Sequence, residues 1–198
     1  MTPQHSTTLY GHTDILQRLL QAYVQQHLHH SLLFVGPEGV GKETLAYHLM
    51  RTILKDDTRL ASGNHPHLFV IHPVFDEKKQ RFKRDITLDA LAGLSNFLRL
   101  SPVDDKPRFI LVNPADGMNP QTQNALLKVL EEPPANVFFI LLATQTAAML
   151  PTIRSRCLIV PVPPLNEKDF TRGLLHLVPE ITMDTAETYF AMAEGVIG

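Results

Sequence analysis

The first chemical signal in this chain is an octapeptide, Gly36-Pro37-Glu38-Gly39-Val40-Gly41-Lys42-Glu43, which follows the pattern G-x-x-x-x-G-K. It lies between a short apolar run and a segment of helical spacing. At a strand-to-helix junction such a loop surrounds phosphate with backbone N–H groups and a helix N-terminus, and the lysine reaches the outer oxygens. The next position calls for Ser or Thr, whose hydroxyl ligates the Mg²⁺ beside the phosphates, and here it holds Glu43. Thr44 comes one residue late, and one residue turns a helix by about 100°. A carboxylate about 4 Å from a phosphate charge costs on the order of 4 kcal/mol at an effective dielectric near 20, which offsets much of what the loop supplies. Phosphate binding by Lys42 and a salt bridge from Lys42 to Glu43 or another carboxylate are equally open on these residues.

Hydrolysis at such a loop also needs acids at the end of a second strand, one to hold Mg²⁺ and one to orient the attacking water. The candidate strand is followed by Asn113-Pro114-Ala115-Asp116, so the acid stands three residues past the expected place and reads as a loop residue. Two independent defects point the same way: the scaffold of an ATPase without its chemistry. Other clusters are weaker. Lys78, Lys79, Arg81, Lys83 and Arg84, with Phe82 among them, are diluted by Asp76, Glu77 and Asp85 and read as a solvated hairpin before a DNA contact. His27, His29 and His30 have no companion acid or cysteine cluster, so no metal site is expected. The single cysteine, Cys157, excludes an internal disulfide and a cysteine-built zinc site.

These groups must be positioned by a folded core. The chain has 198 residues, 44% of them hydrophobic, and a net charge of −2, so no global positive field draws it onto nucleic acid. Its strongest apolar run, Val137 to Ala143, is far short of the roughly 20 residues that cross a bilayer, and MTPQHSTTLY does not read as a leader. A cytoplasmic protein with no membrane partner is expected. Apolar spacing predicts a helix from 13 to about 28 with Thr13 as N-cap, and others after the glycine loop, over 88–99 and over 120–131. The last has Asn119 as N-cap, Pro120 in its first turn and Pro133-Pro134 as its stop. Near-continuous apolar runs at 31–35, 68–71, 109–112, 137–143 and 158–162 predict five buried strands. The expectation is an α/β domain over 1–163 around a five-stranded parallel sheet, followed by a small all-helical domain over 164–198 with helices near 166–178 and 183–194.

The segment Asn124-Ala-Leu-Leu-Lys-Val-Leu-Glu-Glu-Pro-Pro134, the strand VFFILLAT and the later Ile153-Arg154-Ser155-Arg156-Cys157 occur in that order. Together they closely resemble the bacterial clamp-loader AAA+ subunits of DNA polymerase III, over essentially the whole chain. The resemblance implies a P-loop AAA+ domain followed by a helical lid. ATP-hydrolysing gamma/tau members keep an intact GKT and an Asp-Glu pair, and this sequence keeps neither, so it is similar to the ATPase-inactive delta-prime type. Implied partners are gamma/tau and delta subunits of a DNA polymerase holoenzyme, with primed DNA reached only through the assembled complex. Arg156 of the Ser155-Arg156-Cys157 triplet is then expected to reach, in trans, a nucleotide bound by a neighbour, with a surface or helix-end role as the plainer alternative and Arg154 as its nearest competitor. Gly36, Gly39, Gly41 and Lys42 become a degenerate nucleotide loop, and Thr144 falls at the position of a nucleotide-sensing residue.

The zinc module that many relatives insert is not seen in KDDTRLASG (55–63), so neither zinc nor another cofactor is expected in this chain, ATP and Mg²⁺ being bound by partners. The resemblance also leads us to expect a collar domain beyond residue 198, and a monomer in its absence. Two rival readings stand beside this one: an active ATPase of the gamma/tau type, resting on Gly36, Gly41 and Lys42, and an autonomous DNA-binding module built on 78–84.

Overall fold

Runs rich in Leu, Ile, Val and Phe form strands when both faces can be buried, and five of them here pair into one sheet. A computed structural model describes residues 2–63, 65–76, 80–82, 85–99 and 104–197. In chain order the elements are α1 (Thr13–Val24), β1 (Ser31–Val35), α2 (Lys42–Leu54), α3 (Asp57–Ala61), β2 (Leu68–Ile71), β3 (Phe75–Asp76), β4 (Arg81–Phe82), α4 (Leu94–Arg99), β5 (Arg108–Val112), α5 (Pro120–Glu131), β6 (Val137–Ala143), α6 (Pro151–Arg154), β7 (Leu158–Pro161), α7 (Glu167–Leu177) and α8 (Met183–Ala193). The sheet order is β2-β5-β6-β1-β7, a parallel arrangement in which β1, β2 and β7 each lie beside strands that are not their neighbours in sequence. Val35 pairs with Ala143 and Val112 with Leu141, so the C-terminal ends of β1, β5 and β6 share one edge. β5 is buried at all five positions. β7, at the sheet's margin, leaves Leu158 and Ile159 each 46% exposed.

By its internal packing the chain divides into two compact units. One, residues 29–35 and 62–160, holds the sheet, α4, α5 and α6. Its core joins Leu33, Ile71, Ile110, Val112, Leu126, Leu130, Phe139, Leu141 and Ile153. The other, residues 1–28, 36–61 and 161–198, contains the glycine loop with α1, α2, α3, α7 and α8. Here Arg51 of α2 donates to Ser6 O at 2.7 Å and Gln4 O at 3.0 Å, fastening the N-terminal segment. Phe170 of α7 meets Phe190 of α8 edge-on, with ring centroids 5.4 Å apart. Among the described residues no helix is long and apolar enough to cross a membrane.

The five strand expectations hold, with β7 ending one residue early. α5 also starts and stops where its caps predict. Three details differ. Thr13 is the first helical residue, and His12 occupies the cap position in a left-handed conformation at φ 56°. α1 ends at Val24 because Gln26 turns left-handed at φ 58°. The pattern over 88–99 is a 3-10 turn at Leu88–Leu91 and then α4, separated at Gly93, whose φ of 87° cannot continue a helix. The short α3 has no counterpart in the expectations. β3 and β4 pair antiparallel, Phe75 opposite Phe82, as expected of a hairpin.

At the head of α5, Asn119 Oδ1 accepts from Thr122 N and Thr122 Oγ1, both at 2.8 Å, and Thr122 is fully buried. Asn119→Ala should therefore lower stability by about 1 kcal/mol, read as a reduced urea midpoint at unchanged slope.

Candidate functional site

The glycine loop is shaped by its own backbone. A Cβ on Gly36 would lie 2.1 Å from Val162 O, so no side chain fits, and Gly39 and Gly41 take φ of 77° and 97°. That geometry demands glycine whether or not a nucleotide binds. Lys42 opens α2, and its Nζ donates to Gly36 O at 2.7 Å and Pro37 O at 2.6 Å. The ammonium thus ties the two ends of its own loop. His12, which spacing does not single out, is buried and its Nε2 donates to Val40 O at 3.1 Å. Carbonyls 36, 37 and 40 are all held from within the chain. Glu43 sits in the first turn of α2, where a carboxylate suits the helix dipole. Burial, and then the Glu43 charge one turn away, push the Tyr47 hydroxyl up to about 12.

Asp116 lies in the 3-10 turn after β5. Its Oδ2 accepts from Thr144 N at 2.8 Å and Gln145 N at 3.3 Å, and from Thr144 Oγ1 in a short hydrogen bond. The acid expected in a loop is indeed there, and it joins the turn after β5 to the end of β6. Thr144, the candidate sensor, is its partner.

Arg156 comes just after α6. Its Nη1 donates to Thr152 O at 2.9 Å, and its Nη2 lies 2.8 Å from Oε1 of Glu131, the last residue of α5. The side chain is 35% exposed. Ser155 Oγ donates to Thr152 O at 3.1 Å. The Nε of Arg154 is buried without a hydrogen-bond partner among the described residues. Cys157 packs against the sheet core, and burial pushes its thiol up to about 11. A further residue missed by motif reading organises this corner: Gln123, 2% exposed, donates to Met118 O at 2.9 Å and Ala148 O at 3.2 Å and accepts from Leu150 N at 2.7 Å. It fastens the start of α5 to Leu150, the residue that precedes α6. Its place in the polar run Pro120–Gln123 before an apolar stripe is the only hint the sequence offers.

His29 and His30 stack at 4.4 Å, and the His30 ring bonds Leu130 O at 3.3 Å. Desolvation, then the neighbouring His29, hold His30 below the usual imidazole value. Among the described residues no group of three or more His, Cys, Asp or Glu is placed to hold a metal. Lys78, Lys79, Lys83 and Arg84 of the charged loop lie outside the described residues.

A parallel sheet in this order, with a glycine loop after β1, is a P-loop α/β fold of the AAA+ type. The chain belongs to the family described as DNA polymerase III, delta subunit, whose model matches residues 11–166. It is 32% identical over 183 residues to DNA polymerase III subunit delta' of Pseudomonas aeruginosa, covering 86% of this chain and 54% of that protein. The Bacillus subtilis delta' subunit is 26% identical, with 87% and 56% covered. A replication factor C small subunit from Methanocella arvoryzae is 28% identical, with 88% and 50% covered. The chain thus spans about half the length of these relatives. In fold it matches a gamma subunit-related DNA polymerase III protein of Thermotoga maritima, with a TM-score of 0.60 at 22% identity over 89% of this chain and 57% of that one. A RuvB variant from the same organism gives 0.62 at 17% identity over 98% and 62%. The delta-prime resemblance carried by the sequence motifs agrees with the bacterial relatives.

The Cys157 thiol, raised from 9.0 to about 11, should hold about 100-fold less thiolate at pH 8 than an unperturbed cysteine. Iodoacetamide should alkylate the folded chain slower than the urea-unfolded chain by about that factor. The unfolded thiol ionises first, so this group's stabilisation, complete below about pH 9, declines as pH rises toward about 11.

Proposed function

We propose that this chain is the non-catalytic delta-prime subunit of a DNA polymerase III clamp loader, and that it lends Arg156 to a nucleotide held by an adjacent gamma/tau subunit. In this reading it joins gamma/tau and delta subunits to open the sliding clamp and place it on primed DNA in the cytoplasm, with residues 164–198 as its lid. It performs no nucleotidyl transfer itself and carries no cofactor of its own. The reading rests most directly on Asp116, whose carboxylate is engaged by Thr144 and Gln145. An acid committed to two backbone N–H groups and a hydroxyl is poorly placed to hold Mg²⁺ or activate water. Glu43 at the hydroxyl position of the loop and the Lys42 contacts with Gly36 O and Pro37 O support the same conclusion. Only the intact glycines and lysine favour the ATPase rival, and the steric demands at Gly36, Gly39 and Gly41 account for those glycines without a nucleotide.

Arg156 suits the second half of the proposal. It is a planar cation, partly exposed and held by its own chain, of the kind that neutralises charge developing on a transferred phosphoryl group.

The purified chain should release no phosphate from ATP above background, and Lys42→Ala should change nothing. Turnover at the rate of an active AAA+ subunit, abolished by Lys42→Ala, favours the ATPase rival. Tight binding of the isolated chain to duplex DNA at physiological salt, with a slope reporting several phosphates, favours the DNA-binding module.

In the full-length subunit reassembled with its partners, Arg156→Ala should preserve assembly and slow hydrolysis at the one site it faces. Such arginines are worth about 10³–10⁵ in rate at a single site. Bulk turnover falls far less when the other sites stay active, so single-site hydrolysis or clamp loading is the measurement that checks it.

A further inference from the structure

The two sequence motifs that mark the family meet in one contact. Glu131 belongs to the Leu-Glu-Glu-Pro-Pro stretch and Arg156 to Ser-Arg-Cys, 25 positions further along the chain. In the structure Glu131 Oε1 lies 2.8 Å from Arg156 Nη2, while Thr152 O takes Nη1 at 2.9 Å. The two acceptors come from different helices, α5 and α6, and engage different nitrogens of one guanidinium. A single contact leaves a planar fork free to rotate, whereas two contacts on separate nitrogens define both its place and its plane. The side chains of this ion pair are 35% and 49% exposed. An ion pair that open to water adds little to folding and is screened by salt, so its main physical effect is orientation.

Glu131 is itself well placed to impose that orientation. It terminates α5, and the buried Gln123 fastens the other end of that helix to Ala148 O and Leu150 N, at the entrance to α6. The eight steps from Gln123 to Glu131 span about 12 Å of rigid helix. Arg156 is therefore held against a frame with two fixed points. Arg154, two residues earlier, has no comparable anchor among the described residues, and its Nε is buried without a partner.

We infer that Glu131 is the positioning residue for Arg156: it fixes the plane of the guanidinium so that the N–H groups directed away from Glu131 and Thr152 reach a phosphate oxygen on a neighbouring subunit. This rests on the trans role of Arg156 proposed above. Glu131 does not touch the nucleotide and acts only through the arginine.

The test uses the full-length subunit reassembled with its ATP-hydrolysing neighbours. Single-turnover hydrolysis at the site facing Arg156 is compared for the wild type, Glu131→Gln, Arg156→Ala and the double variant. Glu131→Gln should slow hydrolysis by about 10-fold to 10²-fold, the scale of a misplaced catalytic contact. ATP affinity, ring assembly and the melting temperature should not change. In the Arg156→Ala background the same substitution should have no further effect, because the residue it positions is gone. Glu131→Asp, which keeps the charge on a shorter arm, should fall between wild type and Glu131→Gln. A Glu131→Gln rate equal to or faster than wild type, with Arg156→Ala slow, overturns the inference. Losses that multiply in the double variant overturn it as well, since Glu131 would then act independently. If Arg156→Ala is itself without effect, the proposed trans role fails and the inference falls with it, a result distinct from failure at Glu131 alone.

Discussion

The parallel pairing of β6 with both β1 and β5 is the constraint on which the rest depends. Parallel strands end together along one edge, so the chain leaves Val35, Val112 and Ala143 from the same side of the sheet. After Val35 it enters the glycine loop, after Val112 it turns through Asp116, and after Ala143 it reaches Thr144. A register slip of one residue would reverse every buried side chain of a strand, and with β5 buried at every position such a slip has nowhere to go. The sheet fixes where Asp116 and Thr144 stand, and their side chains decide what they engage.

Within each unit the groups are engaged by their own neighbours. The acid after β5 grips the end of β6, and the loop lysine grips the carbonyls of its own loop. The glycines meet a steric demand of the backbone itself, because Val162 O leaves no room at Gly36 and the backbone is left-handed at Gly39 and Gly41. A loop of this shape is thus a property of the fold first and of nucleotide binding second. Its presence in a sequence reports architecture more securely than activity.

How much can be read from the sequence depends on the range of the interactions involved. Strands and capped helices depend on neighbours a few residues away, so the apolar runs and the Asn119-Pro120 start are legible. The region 88–99 misleads because its apolar spacing is helical while Gly93 adopts a φ of 87°, and spacing is blind to a single backbone angle. Residue type marks Thr13 as a cap, yet the left-handed His12 takes that position. Motif order reveals the family and points to Arg156. The partners of the key groups stay hidden: His12 is 28 residues from Val40, Gln123 is 27 from Leu150 and Thr144 is 28 from Asp116. No local pattern encodes contacts of that separation.

The marginal strand β7 bears on edge-to-edge association during folding. An outer strand offers a row of unpaired backbone groups to any other strand that passes, and Leu158 and Ile159 add apolar surface beside it. Its four residues end at Pro161, which has no N–H to donate, and Pro163 and Pro164 come soon after. A ladder that short cannot recruit a long foreign strand, and its imino acids interrupt any extension. The prolines that close the sheet thus double as a guard against edge-to-edge aggregation.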